Sequence, residues 1–164
     1  MPNVIFDTSP LQYLFQLDLI ELLPEMMGQI VVPPAVVAEL RAGRRLGQRL
    51  PIVEELSWVK VEPIANPGML LLAWDLGAGE REVLALAINQ PGTLAVLDDK
   101  QARRAASNLG IDHTGTLGIL LRAKARGVLP LLAPALAQLT ALGFRLDDTT
   151  RLATLQLAGE YSTA

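Results

Sequence analysis

The chain of 164 residues contains no cysteine and only one histidine, His113. Without cysteine, the protein has no disulfide framework, no thiolate zinc site and no thiol nucleophile. A single histidine excludes a metal centre built from several imidazole groups. Carboxylates are therefore the side chains from which a metal site would be built.

Membrane-spanning and secretory segments are also missing from the sequence. The longest run without charge, residues 127–144, is interrupted by Pro130, Pro134 and Gln138, so we interpret it as a soluble helix with an apolar outer face. The Met-Pro start lacks the basic and apolar regions of a signal peptide. We expect a cytoplasmic protein with no membrane partner.

The composition indicates one globular domain with a substantial core. Hydrophobic residues make up 51% of the chain and charged residues 19%. We expect one domain over residues 1–164, with a helical tail from about residue 146. The net charge of −3 argues against binding of nucleic acid by bulk electrostatics, although it permits a site where metal ions offset clustered acids.

Short apolar runs bounded by turn formers alternate along the chain with segments of helical periodicity. This order predicts an α/β fold with a mostly parallel central sheet flanked by helices on both faces. The expected strands are residues 4–6, 29–32, 93–97 and 111–113, and residues 58–61 are either an edge strand or an extended connection. The expected helices are 11–27, in which Pro24 breaks the helix or starts a turn, 35–43, 80–88, 101–109 and 117–127. A basic loop at 43–47, a short helical stretch up to residue 56, a turn at 66–68 and a helix or helical turn at 69–76 are expected between them.

Acidic residues follow two of the predicted core strands. Asp7 comes directly after the first strand, and Asp98 and Asp99 come directly after the fourth. Residues just past such strands lie where open α/β sheets bind ligands, so Asp7 is expected to project into a cleft at the carboxyl edge of the sheet. The alternative is that Asp7 only caps the next helix, with Pro10 at the first helical position.

Two glutamates approach the same edge from helices. The apolar stripe of residues 80–88 is centred on Glu80, so Glu80 is expected to point toward the core and Glu82 away from it. The helix dipole alone favours a glutamate in the first turn, but an inward charge needs a partner such as a metal ion or a polar cleft. Glu39 lies at the border of the apolar stripe of its helix, where it either reaches the cleft from the side or faces solvent.

These acids belong to separate elements that meet at one edge of a parallel sheet. Clustered carboxylates, without cysteine or a histidine cluster, suit Mg²⁺ or Mn²⁺. Such a cluster around one or two divalent ions is a common arrangement for phosphodiester hydrolysis, because the metal activates water and neutralises charge on the phosphate.

Other nucleotide and phosphate motifs do not fit the sequence. No Walker loop is present, and Gly77-x-Gly79 lacks the third glycine of a dinucleotide fingerprint. A haloacid-dehalogenase phosphatase would have aspartate at the position of Ser9, and a response-regulator receiver has its paired acids in the reverse order. His113 forms no recognisable triad with Ser9 or Ser107.

Five short motifs occur in order along nearly the whole chain. They are VIFDTSP (4–10), VPPAVVAEL (32–40), GEREVLALA (79–87), LDDKQAR (97–103) and TGTLG (114–118), and GFRL (143–146) and AGE (158–160) follow in the tail. Each motif is weak alone, and the ordered set is specific. The set resembles the PIN-domain family, most closely its compact prokaryotic branch related to VapC-type toxins.

The resemblance implies a Mg²⁺- or Mn²⁺-dependent endoribonuclease with four acids in one pocket. Asp7, Glu39 and Glu80 match the first three acids. The fourth falls on Asp98 or Asp99, and Asp99 matches better because an acid directly before Lys or Arg resembles the family pattern. Asp7, Glu80 and Asp99 would hold the metal, and Glu39 would orient or deprotonate the attacking water. Many PIN nucleases have aspartate where this chain has Glu80, and the longer side chain shifts the metal.

The same resemblance implies supporting groups and partners. Ser9 and Thr114 would be supporting hydroxyls. The protein would be the toxin half of a toxin–antitoxin pair, with an RNA substrate, a small antitoxin protein as partner and a homodimeric state. The rival hypothesis is a non-catalytic RNA-binding or regulatory module on the same fold. Beside the pocket, Arg41, Arg44 and Arg45 either contact phosphates or form a solvated basic loop.

Overall fold

The computed structural model describes residues 3–66 and 72–160 of the chain. The described residues form five strands and eight α-helices, with a short 3-10 helix at Val53–Glu55. The strands are β1 (Val4–Phe6), β2 (Ile30–Val32), β3 (Val59–Val61), β4 (Leu94–Val96) and β5 (Asp112–Thr114). The helices are α1 (Thr8–Gln16), α2 (Leu22–Met27), α3 (Pro34–Arg45), α4 (Ala78–Asn89), α5 (Lys100–Asn108), α6 (Thr116–Ala125), α7 (Ala133–Ala141) and α8 (Asp148–Leu157).

The five strands form one sheet in the order β3-β2-β1-β4-β5, and every neighbouring pair is parallel. The predicted α/β fold is confirmed, and its sheet is parallel throughout the described residues. From β1 the chain first builds the sheet outward through β2 to β3, and then returns to add β4 and β5 on the other side of β1. The order of the sheet therefore reverses between β1 and β4.

The centre of the sheet is covered on both faces. Every residue of β1 and β2 is buried, and successive side chains of a strand point to opposite faces. Phe6 and Ile5 are fully buried, as is Leu84 of α4. Helix α4 packs on β1 and β4 and also against α3 and α5, which makes it the central helix beside the sheet.

The chain divides into two compact units, residues 1–115 and 116–164. The first unit holds the whole sheet and helices α1 to α5. In the second unit α6 packs against α8, and Glu160 accepts hydrogen bonds from the amides of Leu132 and Ala133 at 2.6 and 3.0 Å. Lys124 Nζ lies 3.4 Å from the same carboxylate. Because Leu132 and Ala133 begin α7, Glu160 fixes the start of this helix.

Pro24, where a helix break or the start of a turn was predicted, lies inside a helix. The helical segment is interrupted between α1 and α2, where Asp18 adopts a positive φ of 58°. Pro24 lies instead in the first turn of α2, where the missing amide hydrogen needs no helical partner. The expected basic loop is also helical in part, because α3 extends through Arg45.

Two other predictions concern residues 127–144 and 66–76. Only Ala133–Ala141 of the long uncharged run is helical, because proline at position 134 is tolerated only in the first turn of a helix. The turn predicted at 66–68 and the helix predicted at 69–76 fall partly on residues 67–71, which lie outside the described residues. In the described ranges, no helix is long and apolar enough to cross a membrane.

Candidate functional site

The carboxyl ends of β1, β4 and β5 lie at one edge of the sheet. Phe6 pairs with Val96, and Val96 pairs with Thr114, so the residues that follow these strands are at the same level. The Asp7 amide continues the ladder by donating to the Val96 carbonyl at 3.1 Å. β1 and β4 are also the strands between which the order of the sheet reverses, the position where open α/β sheets form ligand crevices.

Asp7 is a buried carboxylate at this edge. It is 4% exposed, and its Oδ1 atom is buried without a hydrogen-bond partner. Burial raises the pKa of Asp7 from 3.8 to about 7, and a hydrogen bond from the Thr8 amide opposes the rise. Asp7 occupies the N-cap position of α1, yet its side chain makes no capping hydrogen bond there. The capping alternative therefore does not explain this residue. Three carboxylates, those of Glu80, Glu39 and Asp98, make smaller contributions to the same rise in the Asp7 pKa.

Glu39 is held beside Asp7 by two hydrogen bonds. Thr8 Oγ1 donates to Glu39 Oε2 at 2.5 Å, and the Gly79 amide donates to Glu39 Oε1 at 2.7 Å. A Cβ atom at position 79 would lie 2.8 Å from Glu39 Oε1 and 2.9 Å from Asp7 Oδ1. The first turn of α4 thus approaches both carboxylates, and only glycine leaves room for them. Glu39 is half-buried, and both of its carboxylate oxygens accept hydrogen bonds beside Asp7.

Glu80 lies next to Gly79 and is half-buried. Its Oε2 atom accepts a hydrogen bond from the Gly77 amide at 2.9 Å, so Glu80 caps the N-terminus of its own helix. Burial raises the pKa of Glu80, and the Gly77 hydrogen bond lowers it. Three further carboxylates raise this pKa: Asp99, Glu39 and Asp75. The charges of neighbouring acids therefore act on Glu80, although its side chain caps the start of its own helix.

The helical-wheel prediction for Glu82 is wrong. Glu82 is half-buried, and its Oε2 atom accepts a hydrogen bond from the Ala35 amide at 2.6 Å. The reason is that α4 packs against α3, so the side of α4 that carries Glu82 meets a second helix. Glu82 caps the first turn of α3, whose own N-cap residue, Pro33, makes no side-chain cap bond.

Asp98 and Asp99 have different surroundings. Asp98 is half-buried, whereas Asp99 is exposed and accepts a hydrogen bond from the Ala102 amide at 3.0 Å as the N-cap of α5. The charge of Asp98 raises the pKa of Asp7, and the charge of Asp99 raises that of Glu80. We use the name acidic site for the group Asp7, Glu39, Glu80, Asp98 and Asp99.

The groups that support the acidic site differ in part from those expected. Ser9 and Thr114 are half-buried at the predicted edge. Thr8 supplies a hydroxyl contact to Glu39 that the sequence reasoning did not single out, although Thr8 directly follows Asp7. Tyr13 was also missed. Its pKa is raised by burial and by the charge of Asp98, and no local sequence pattern links these two residues.

The arginines expected to contact phosphates are mostly engaged within the protein. Arg41 Nη2 lies 3.2 Å from Glu54 Oε2, and Arg44 Nη1 donates to the Pro51 carbonyl at 2.6 Å. Arg45 is exposed at the end of α3. Only Arg45 of the three is thus left as a simple solvent-facing cation.

The acidic site suits a divalent cation in the type of its ligands. Within residues 3–66 and 72–160, no group of three or more acidic or histidine side chains is arranged so that it could hold a metal ion as it stands. The Oδ1 atom of Asp7 is nevertheless buried, without a hydrogen bond and surrounded by carboxylates that raise the Asp7 pKa, and hard oxygen ligands of this kind suit Mg²⁺ or Mn²⁺. Glu39 and Glu80 each accept a hydrogen bond from a backbone amide, so these bonds hold both carboxylates in the present arrangement.

Comparison with known proteins gives one match. The family model DUF3368, described as a PIN domain, matches residues 3–160. The matched range includes every residue of the acidic site and extends over both compact units. No curated protein and no solved structure matches the chain significantly. PIN domains are generally nucleases and typically depend on divalent metal ions.

Proposed function

Because the chain belongs to the PIN-domain family, we propose that it is a Mg²⁺- or Mn²⁺-dependent endoribonuclease that acts in the cytoplasm. The observation that carries this proposal is Asp7, whose Oδ1 atom is buried and without a hydrogen bond at the crevice between β1 and β4. Burial, with a smaller contribution from neighbouring carboxylates, raises the pKa of Asp7 to about 7, so removal of the Asp7 proton leaves a negative charge that a cation would offset.

Each acid has a distinct proposed role. Asp7, Glu80 and Asp98 would hold the ion, and we favour Asp98 over Asp99, which the motif favoured, because Asp99 is exposed and caps α5. A divalent ion at this site supplies Lewis-acid activation of water and neutralises charge on the phosphate. Glu39, fixed by its two hydrogen bonds, orients the attacking water and accepts its proton. Ser9 and Thr114 remain candidate supporting hydroxyls.

Cleavage of a labelled single-stranded RNA tests the proposal. Wild-type protein is incubated with the RNA in Mn²⁺, in Mg²⁺ and in excess chelator, beside Asp7→Asn and the control Asp18→Asn. Asp18 is an exposed aspartate paired with Arg49 at 2.5 Å, so its replacement controls for loss of one charge. We expect cleavage by wild type and Asp18→Asn in divalent ion only, and loss of cleavage in Asp7→Asn. Cleavage that persists in chelator, or in Asp7→Asn, contradicts the mechanism.

A non-catalytic RNA-binding module is the second candidate. It is favoured by one observation, that no described group of three acidic side chains already forms a metal-binding arrangement. The same assay separates the candidates: the binding module retains the RNA in Mn²⁺ without shortening it. A nuclease shortens it.

We also propose that the protein is the toxin of a toxin–antitoxin pair and forms a homodimer. The first part is supported by the ordered motifs that resemble VapC-type toxins, and the second by the exposed, uncharged residues near α7. Induced expression should arrest bacterial growth, and co-expression of the product of the neighbouring reading frame should relieve the arrest. Growth that continues at high expression of the active protein contradicts the toxin role.

A further inference from the structure

A basic stripe runs along the exposed face of α5, which begins directly after Asp98 and Asp99. Lys100, Arg103, Arg104 and Ser107 follow the spacing i, i+3, i+4, i+7, so they lie on one side of the helix. All four are exposed. The opposite side is made of small buried residues, which seat α5 closely on the protein: Ala102, Ala105 and Ala106.

This stripe forms one wall of an open pocket of about 440 Å³. Asn108 and His113 complete the lining, and His113 comes from the neighbouring edge strand β5. The His113 Nδ1 atom lies 3.1 Å from the Ile111 carbonyl, so the backbone just before β5 orients the ring. The pocket is lined by three cations and no acid, in a protein whose net charge is −3.

The lining residues have the chemistry of an anion site. Arginine forks match the geometry of phosphate oxygens, and lysine, hydroxyl and amide groups add single donors. The imidazole of His113 is the one aromatic ring among the lining residues, and no Phe, Tyr or Trp is present, so the pocket offers little surface on which to stack successive nucleobases. The pocket therefore suits the sugar–phosphate backbone and offers little for reading base identity.

Arg103 connects the pocket to the acidic site. A Cβ atom on Gly115 would lie 2.8 Å from Asp98 Oδ1 and 3.7 Å from Arg103 Nη1. The Arg103 guanidinium and the Asp98 carboxylate thus flank the same small space at the end of β5. Arg103 is therefore a lining residue of the basic pocket that also lies close to an acid of the acidic site.

We propose that the pocket formed by Lys100, Arg103, Arg104, Ser107, Asn108 and His113 binds the backbone phosphates of the RNA strand next to the cleaved position. The inference rests on the proposed ribonuclease function. It assigns substrate positioning to α5 in place of the arginines of α3, two of which have partners within the protein.

Binding of a short labelled single-stranded RNA in excess chelator, measured by fluorescence anisotropy over a range of salt concentrations, tests the pocket without cleavage. The variant Lys100→Gln/Arg104→Gln removes two exposed charges and leaves Arg103 beside Asp98. If both residues contact phosphates, the slope of log K against log salt becomes shallower by roughly 1.4, since each contact on a single strand contributes roughly 0.7. Affinity at low salt should fall by about tenfold or more.

Two controls make the result specific. Lys100→Arg/Arg104→Lys keeps the charge at both positions and should keep the wild-type slope. Lys60→Gln removes an exposed cation from β3, at the opposite edge of the sheet from β5, and should also leave the slope unchanged. The pocket proposal is contradicted if Lys100→Gln/Arg104→Gln keeps the wild-type salt slope. It is also contradicted if Lys60→Gln reduces that slope by as much for each charge removed.

Cleavage in Mn²⁺, measured separately, distinguishes failure of the pocket from failure of the proposed function. If wild type cleaves RNA and the glutamine variant binds RNA normally, the pocket proposal is wrong and the nuclease proposal stands. If wild type binds RNA through the pocket but does not cleave it, the catalytic proposal is wrong and the pocket stands. Wild type that neither binds nor cleaves RNA overturns both.

Discussion

Asp7 is the residue on which the site depends most, because its burial and its carboxylate neighbours both raise its pKa. Desolvation disfavours the charged carboxylate, and nearby like charges disfavour it further. The position of Asp7 after a buried strand was predictable from the sequence. Its hydrogen-bonding was not, because the sequence cannot show that the cap bond of α1 is left unmade.

Replacement of Asp7 by asparagine should stabilise the metal-free protein at high pH. The folded-state pKa of about 7 lies above the ordinary value of 3.8. The contribution of Asp7 to stability is therefore complete below about pH 4 and is lost as pH rises through 7. Asp7→Asn removes this loss, so in chelator at pH 8 it should be more stable than wild type by about 1 kcal/mol or more. Urea melts at pH 5 and pH 8 measure the difference, and an advantage that does not grow with pH contradicts the assignment.

The substitution Gly79→Ala gives a second test, because the sign of its effect on stability shows whether the close approach to Glu39 and Asp7 matters. Glycine to alanine near the start of a helix normally stabilises by up to about 1 kcal/mol. At position 79 the new Cβ would meet oxygens of Glu39 and Asp7 at 2.8 and 2.9 Å, so we expect Gly79→Ala to destabilise by roughly 1–3 kcal/mol and to lower cleavage. Gly77→Ala is the matched control, because its Cβ would lie 3.5 Å from Glu80 Oε2 in ordinary contact. Equal melting temperatures for the two variants would show that the close approach is unimportant.

At the scale of elements, the sequence was most informative about strands and the starts of helices. Buried apolar runs predicted β1, β2 and β4, and the wheel of α4 predicted an inward direction for Glu80, which is half-buried in the structure. The wheel failed for Glu82, because it assumes one buried face, and α4 is packed by the sheet on one side and by α3 and α5 on others. Contacts between helices that are distant in sequence decide such positions, and periodicity within one helix does not contain them.

The Glu82 cap couples α3 to α4 and can be tested by itself. Glu82 accepts a hydrogen bond from the Ala35 amide at 2.6 Å at the positive end of α3, so Glu82→Ala should destabilise the protein by about 1 kcal/mol. Glu55→Ala, at an exposed glutamate of the 3-10 helix, should have little effect. Since α3 carries Glu39 and α4 carries Glu80, loss of the cap should also reduce cleavage. Identical urea midpoints for Glu82→Ala and Glu55→Ala would show that Glu82 does not couple α3 to α4.

At the scale of the whole molecule, the uncharged residues near α7 bear on assembly. Leu131 and Leu142 are 57% and 41% exposed in a stretch without charge, and exposed apolar surface of this kind is typical of contact between subunits. We expect a dimer at micromolar concentration by size exclusion with light scattering, and Leu131→Lys should shift it toward monomer. Leu46→Lys is the control, because Leu46 is 81% exposed and lies elsewhere, at the end of α3. A monomeric wild type contradicts the expectation.

Thermal melts with and without Mn²⁺ test the central claim, that the acidic site binds a divalent ion through Asp7. A bound ion stabilises the folded state by mass action, by about 2.7 kcal/mol at one hundred times its dissociation constant. We predict that Mn²⁺ raises the melting temperature of wild type above its value in chelator. Asp7→Asn should melt higher than wild type in chelator and respond to Mn²⁺ much less. If Asp7→Asn melts lower in chelator and Mn²⁺ moves neither curve, the acidic site is not a metal site.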